Sequence, residues 1–157
     1  MNMTTKRRLL TAQLDENLKV LERSLDTLLY SYEKCRAIGT KSSYAPDEQE
    51  VFEALTARFA RTADILTQKA VRSLFVLLQE NIKTIIDAAN LSEKLEIVET
   101  ADELLHIREL RNQIAHEYVN ADLGELFKDV LRYVPELEKI TGRLIKFAQS
   151  EIKKMPE

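Results

Sequence analysis

The chain has 157 residues, 45% of them hydrophobic and 31% charged, with a net charge of −3 and a pI near 5.6. That length and balance describe a chain able to bury a core, read as one domain over residues 1–157, and exclude a disordered or collagen-like one. The acidic balance also excludes a general-purpose nucleic-acid coat, so any RNA contact has to rest on a local basic patch, or on two patches joined by dimerisation.

Leu14, Leu18, Leu21, Leu25, Leu28, Tyr32 and Cys35 step by four and three in turn, which predicts a helix from about Thr5 to Arg36 with one apolar seam. Cys35 lies on that seam and reads as a buried structural thiol. Ala37 to Ala45, with Gly39, Ser42 and Ser43, reads as a loop. Pro46 and Asp47 open a second helix, the proline at a position that tolerates it and the carboxylate where the helix dipole favours it. Neither Gly nor Pro occurs again until Gly124. Phe52, Leu55, Phe59, Leu66, Ala70, Leu74, Leu77, Ile82 and Ile85 carry the buried face to about Ala88, a length that calls for a bend or break. Asn90 to Glu99 reads as a connector holding a short helix capped by Ser92. Thr100 and Glu103 have capping-box spacing and begin a third long helix. The last helix starts at Asp122. Leu123, Phe127, Val130, Val134, Leu137, Leu144 and Ala148 hold one heptad phase across Pro135, so a kink that keeps the buried face is expected there. The predicted fold is all-α, an antiparallel bundle of four to five helices.

Near the end of the third long helix stands RNQIAHEY, Arg111 to Tyr118, in the pattern R-x-x-x-x-H-x-Y. Arginine grips phosphate through two parallel hydrogen bonds, and histidine is the side chain whose proton moves most easily near neutral pH. The pair suggests chemistry on a phosphodiester with no metal required. Ala101, Leu104, Ile107, Arg111, Ile114 and Tyr118 form the stripe of this helix, so Arg111 occupies an apolar position and needs an anionic partner or a water-lined groove. Arg111 and Tyr118 lie about 20° apart around the axis, whereas His116 lies about 140° from Arg111. Either the helix distorts or ends near Ala115, or the active pair is assembled across a two-fold dimer.

Plainer readings stand beside these. Arg111 could pair with Asp102, Glu103 or Glu109. His116 could be a capping or surface residue, and Tyr118 an ordinary packing residue. His106 reads as structural or solvated. Arg58, Arg61 and Arg72 read as a solvated face, and Arg61 with Asp64 as a helix-surface pair. No phosphate loop, dinucleotide fingerprint or zinc spacing is present, and no basic recognition helix of the DNA-reading kind. The lone cysteine suits a reducing compartment, and no apolar run approaches the roughly eighteen residues of a membrane span. MNMTTKRR is basic but is followed by no apolar signal core, so the expected compartment is the cytoplasm.

RNQIAHEY, late in an all-helical chain of this length, resembles the signature of the HEPN superfamily, and the form ending in x-Tyr resembles HepT-like toxins of MNT–HEPN toxin–antitoxin pairs. The likeness extends over ELRNQIAHEYVNADLGELFKDVLRYVPEL, Glu109 to Leu137. It implies a HEPN-like bundle acting as a homodimeric, metal-independent endoribonuclease without cofactor. Arg111 would bind the scissile phosphate and His116 would act as general base or general acid. Asn112 would support them by bonding phosphate or His116. The products would carry a 2′,3′-cyclic phosphate and a 5′-hydroxyl. Tyr118 matches the tyrosine that an MNT nucleotidyltransferase antitoxin modifies with AMP. Glu117, beside His116, puts a negative charge into a site meant for RNA. The alternative of another class is a non-catalytic HEPN module that binds a nucleotidyltransferase partner or its nucleotide substrate.

Overall fold

The computed structural model describes residues 1–116 and 123–156. Helix α1, Met3–Ile38, is capped by Asn2, whose Oδ1 accepts the Thr5 N–H at 2.8 Å. It stops at Gly39, where φ is +78°, a conformation that favours glycine. The helix runs two residues beyond each expected end, and its seam is the expected one. Leu14, Leu18, Leu21, Leu28 and Cys35 are buried, with Leu25 and Tyr32 half-buried.

Burial pushes the Cys35 thiol up to about 11, against the opposing pull of Lys34, and Sγ sits 3.6 Å from the Val51 carbonyl oxygen. In the folded chain the thiol therefore stays neutral where an exposed one would ionise. Its contribution to stability is intact below the ordinary thiol range and is lost as pH rises toward about 11. Native protein at pH 8 is expected to resist a thiol-specific reagent that labels urea-unfolded protein at once. Equal labelling rates would show that Cys35 is not held inside.

Helix α2, Pro46–Asp64, begins with Glu48 Oε1 accepting the Ala45 N–H at 3.0 Å. A π turn follows over Ile65–Ala70, then helix α3 over Val71–Leu77, with right-handed helical torsions kept at both junctions. The three segments form one rod, antiparallel to α1. Cys35 meets Val51, Ser31 meets Arg58, Ser24 meets Thr62 and Asn17 meets Lys69, so one index falls as the other rises. The expected bend or break before Ala88 takes two forms, this π turn, which distorts the rod without ending it, and the end of α3 at Leu77. Leu66, Ala70 and Leu74 step by four twice, which would drift off the buried face of a regular helix. A wider turn absorbs that drift. It also disturbs the backbone ladder, and the Asn17 amide of α1 reaches the Lys69 carbonyl at 3.4 Å while Gln13 donates to Asn17 at 3.2 Å. Arg58, read from sequence as solvated, donates to the Thr27 carbonyl and the Ser31 hydroxyl and ties α2 to α1.

The rod ends at Leu77 instead of near Ala88, because Gln79 turns the chain at φ +61°. Ile82 and Ile85 therefore lie off its buried face, half-buried against the core. Helix α4, Ile85–Lys94, is capped by Thr84 with Asp87 in a reciprocal box of 3.1 and 3.3 Å. Ser92 does not cap it. That residue is buried near the far end, where its carbonyl accepts the N–H groups of Ile97 and Val98.

Helix α5, Ala101–Ala115, starts after Thr100 as expected, but the expected capping box is replaced. Glu103 reaches back to the Glu99 N–H at 3.0 Å, and Glu93 of α4 accepts the Ala101 N–H at 2.8 Å. Helix α6, Leu123–Lys154, runs through Pro135 without a break. The expected starting residue, 122, lies outside the described residues. Phe127, Val130, Val134, Leu137, Leu144 and Ala148 are all buried, so the face is unchanged on both sides of the proline. Phe127 stacks on Phe52 at 4.8 Å between ring centroids, and Tyr44 packs against both. His106 accepts or donates across to the Tyr133 hydroxyl at 3.3 Å, while Lys139 and Arg143 bind Glu99. These pairings set α6 antiparallel to α5. The described residues thus form an all-helical bundle of five rods without strands, and one hydrophobic cluster draws on all of them. None of these helices is long and apolar enough to cross a membrane.

Candidate functional site

The anionic partner that Arg111 requires is supplied from another helix. Its Nε–H donates to Asp64 Oδ1 at 2.8 Å and an Nη2–H to Asp64 Oδ2 at 3.1 Å. The expected local partners Asp102, Glu103 and Glu109 are not used, and Asp64 binds Arg111 instead of Arg61. Both side chains keep about a third of their surface exposed, at 33% and 38%. Solvent therefore screens the pair, whose worth to stability is about 1 kcal/mol at most. Its geometric effect is larger. Hydrogen bonding and charge from Asp64 raise the Arg111 pKa above its ordinary value, which keeps the guanidinium a fixed cation. A guanidinium carries five N–H donors. Asp64 occupies one edge, which leaves the Nη1–Nη2 edge with the geometry to take a phosphate through two parallel bonds.

Arg111 lines a groove of about 590 Å³ between α5 and the π turn. Arg61, Lys69 and Arg108 join it there, so among the described residues four cations face the one carboxylate of Asp64. Arg61, Lys69 and Arg108 form no ion pair among the described residues. The π turn provides Ile65, Gln68 and Lys69 to this wall, in keeping with the tendency of such turns to occur at functional sites. An acidic chain thereby carries a local basic patch.

Helix α5 ends at Ala115, as one of the two sequence-based alternatives required, and His116 is its C-terminal cap residue at φ −104°, ψ 7°. Its backbone N–H binds the Asn112 and Gln113 carbonyls, and its exposed ring has no hydrogen-bond partner among the described residues. His116 does not line the groove that holds Arg111. Asn112 is half-buried, and its backbone carbonyl joins it to His116. Glu117 and Tyr118 lie outside the described residues. Arg72 is exposed and donates to Gln68 at 3.4 Å.

Sequence reasoning found Arg111 but missed Asp64 as its brace, along with Lys69 and Arg108 as groove cations. The signal was an arginine in an apolar stripe, which says that an anion is near without saying which. Asp64 follows buried Ala63 and precedes buried Ile65. A carboxylate among apolar neighbours, far away in sequence, was the available pointer to it. Asp64→Asn keeps the shape and removes the charge. The expected result is tighter binding of inorganic phosphate, because the groove loses the anion that faces its cations. Phosphate titrations that find the affinity unchanged would show that the pair is only structural.

An all-helical bundle with a braced arginine and, five residues on, a histidine at the end of the same helix is a HEPN-type domain. Residues 43–144 match the family model described as Ribonuclease HepT-like, and the chain belongs to that family. The match spans α2 through most of α6 and includes the whole motif. No curated protein and no solved structure matches the chain.

Proposed function

We propose that this protein is an endoribonuclease toxin that cleaves RNA by attack of the ribose 2′-hydroxyl on the adjacent phosphorus. The observation that carries the reading is Arg111, braced by Asp64 with one edge of its fork unspent and set in a groove of four cations. A pentacoordinate phosphorus gathers negative charge on its non-bridging oxygens, and Arg111 stabilises that charge as it develops. His116 takes the 2′-hydroxyl proton, or gives a proton to the departing 5′-oxygen. The new bond joins O2′ to phosphorus, the bond from phosphorus to O5′ breaks, and the ends are a 2′,3′-cyclic phosphate and a 5′-hydroxyl. The nucleophile is internal to the RNA, so no bound water has to be ionised and the reaction needs no metal.

The unoccupied role falls to His116 of a second copy. That His116 and Arg111 do not share one groove within a single chain supports a homodimer with the motifs facing each other. Asn112, one residue past Arg111, supports phosphate from the same helix. Adding AMP to Tyr118 would bring bulk and negative charge beside this phosphate site, so an MNT-type nucleotidyltransferase acting there would neutralise the toxin by sterics and repulsion. The reading places the protein in the cytoplasm, where RNA and ATP are both at hand.

The test is purified protein, shown by mass to lack AMP, incubated with total RNA in excess EDTA. Metal-free cleavage supports the reading. Intact RNA, together with tight binding of a nucleotidyltransferase or its nucleotide, would establish the non-catalytic module in its place. A matching incubation with ATP and the nucleotidyltransferase should add adenylate to Tyr118 and stop the cleavage.

A further inference from the structure

Beside the Arg111 groove lies a second cavity of about 170 Å³, between α3, the start of α4 and α5. Its apolar floor includes Val71, Phe75 and Ala88, all buried. Its rim carries three cations, Arg72, Lys83 and Arg108. Among the described residues no acidic side chain lines it, since Asp87 at the start of α4 is held in the cap with Thr84. None of the three cations forms an ion pair among the described residues. The two cavities adjoin, because Arg108 and Gln68 line both.

Arg108 and Arg111 are three residues apart on α5, so their Cβ atoms stand about 5–6 Å apart on one face. That separation is comparable to the step between successive phosphates of an RNA strand. We infer that the second cavity is a subsite for the nucleotide next to the scissile phosphate, on single-stranded RNA. Arg108, Arg72 and Lys83 hold the neighbouring phosphate, and the apolar floor receives the sugar or base. A duplex would not suit it, since a narrow pocket with an apolar floor takes one unpaired nucleotide and not two paired strands. Nothing in the pocket reads base edges specifically, which makes the site a grip on the strand rather than a reader of sequence.

The inference rests on the ribonuclease reading and is tested apart from cleavage. The probe is a fluorescent six-nucleotide RNA, 2′-O-methylated throughout so that it cannot be cut, titrated by anisotropy at several salt concentrations. Arg72→Ala/Lys83→Ala removes two exposed cations and should leave the thermal midpoint unchanged. The expected result is about tenfold weaker binding, with the log–log salt slope falling by about 0.7, the value for one phosphate charge no longer neutralised. A methylated dinucleotide, which has a single phosphate, should bind the variant and the parent within a factor of two. Equal affinity and equal slope for the six-mer would overturn the subsite. If the parent protein still cleaves natural RNA in that case, the ribonuclease reading stands without it. If the parent neither binds the six-mer at low salt nor cleaves natural RNA, both fall together.

Discussion

His116→Ala is expected to lower the rate of RNA cleavage by about 10²–10⁴-fold, the usual contribution of a positioned acid or base. Arg111→Ala is expected to lower it by about 10²–10³-fold, as for the loss of one donor to a developing oxyanion. On the proposed mechanism the two act on one transition state, so the double variant should be little slower than the worse single one. Arg111→Lys keeps the charge but loses the two-edged fork, so it should rescue binding far better than rate. Neither alanine variant should unfold the protein. His116 is exposed, its ring without a partner among the described residues, and its replacement should move stability by no more than about 0.5 kcal/mol. Arg111→Ala removes a half-exposed ion pair worth about 1 kcal/mol at most. Full activity in either variant, assayed by gel on total RNA, would remove that residue from the chemistry.

The largest expected loss of stability comes from Phe127→Ala. Phe127 is fully buried near the start of α6, stacked on Phe52 at 4.8 Å with Tyr44 against its edge at 5.6 Å. Truncation removes that burial and leaves a cavity between α2 and α6, costing about 3–5 kcal/mol. Against a total of roughly 5–15 kcal/mol, that is a fifth or more of the folding free energy. The thermal midpoint should fall by about 6–20 °C for a chain of this size. Ile86→Ala is the control, because Ile86 is 57% exposed and its loss should change the midpoint little. A small effect at Phe127, measured by calorimetry, would mean that the aromatic cluster does not anchor α6.

The fold was legible wherever an apolar stripe had one phase and one partner. The seams of α1 and α6 show this, the second holding its face straight through Pro135. Reading failed where the chain departs from a uniform helix. The length of the stretch to Ala88 announced a bend or break without placing it, and the π turn at Ile65–Ala70, where the Asn17 amide meets the Lys69 carbonyl, lies inside an unbroken apolar stripe. Ile82 and Ile85 continued an apolar pattern past the true end of the rod, because nothing local marks Gln79 as a residue that turns the chain. Thr84 with Asp87 was an available start signal for α4, and Ser92 was the wrong choice among nearby hydroxyls. At the candidate site, the motif pointed to Arg111 and His116 because their spacing is local, and of the two Arg111 lines the groove. Asp64, Lys69 and Arg108 arrive from two elements brought together by packing, and a one-dimensional pattern carries no such pairing. Asp64 illustrates the difference. Its i, i+3 relation to Arg61 was visible, while its two hydrogen bonds are to an arginine 47 residues away.

On the proposed mechanism the RNA supplies its own nucleophile, and Arg111 with His116 handles the charge and the proton. The most direct measurement is the chemistry of the cut ends, from one defined oligoribonucleotide digested in EDTA and read by mass spectrometry. A 2′,3′-cyclic phosphate on the upstream fragment and a 5′-hydroxyl on the downstream fragment are predicted, with no cutting where the 2′-hydroxyl is replaced by hydrogen. A 3′-hydroxyl with a 5′-phosphate, or cutting at a 2′-deoxy position, would contradict the account.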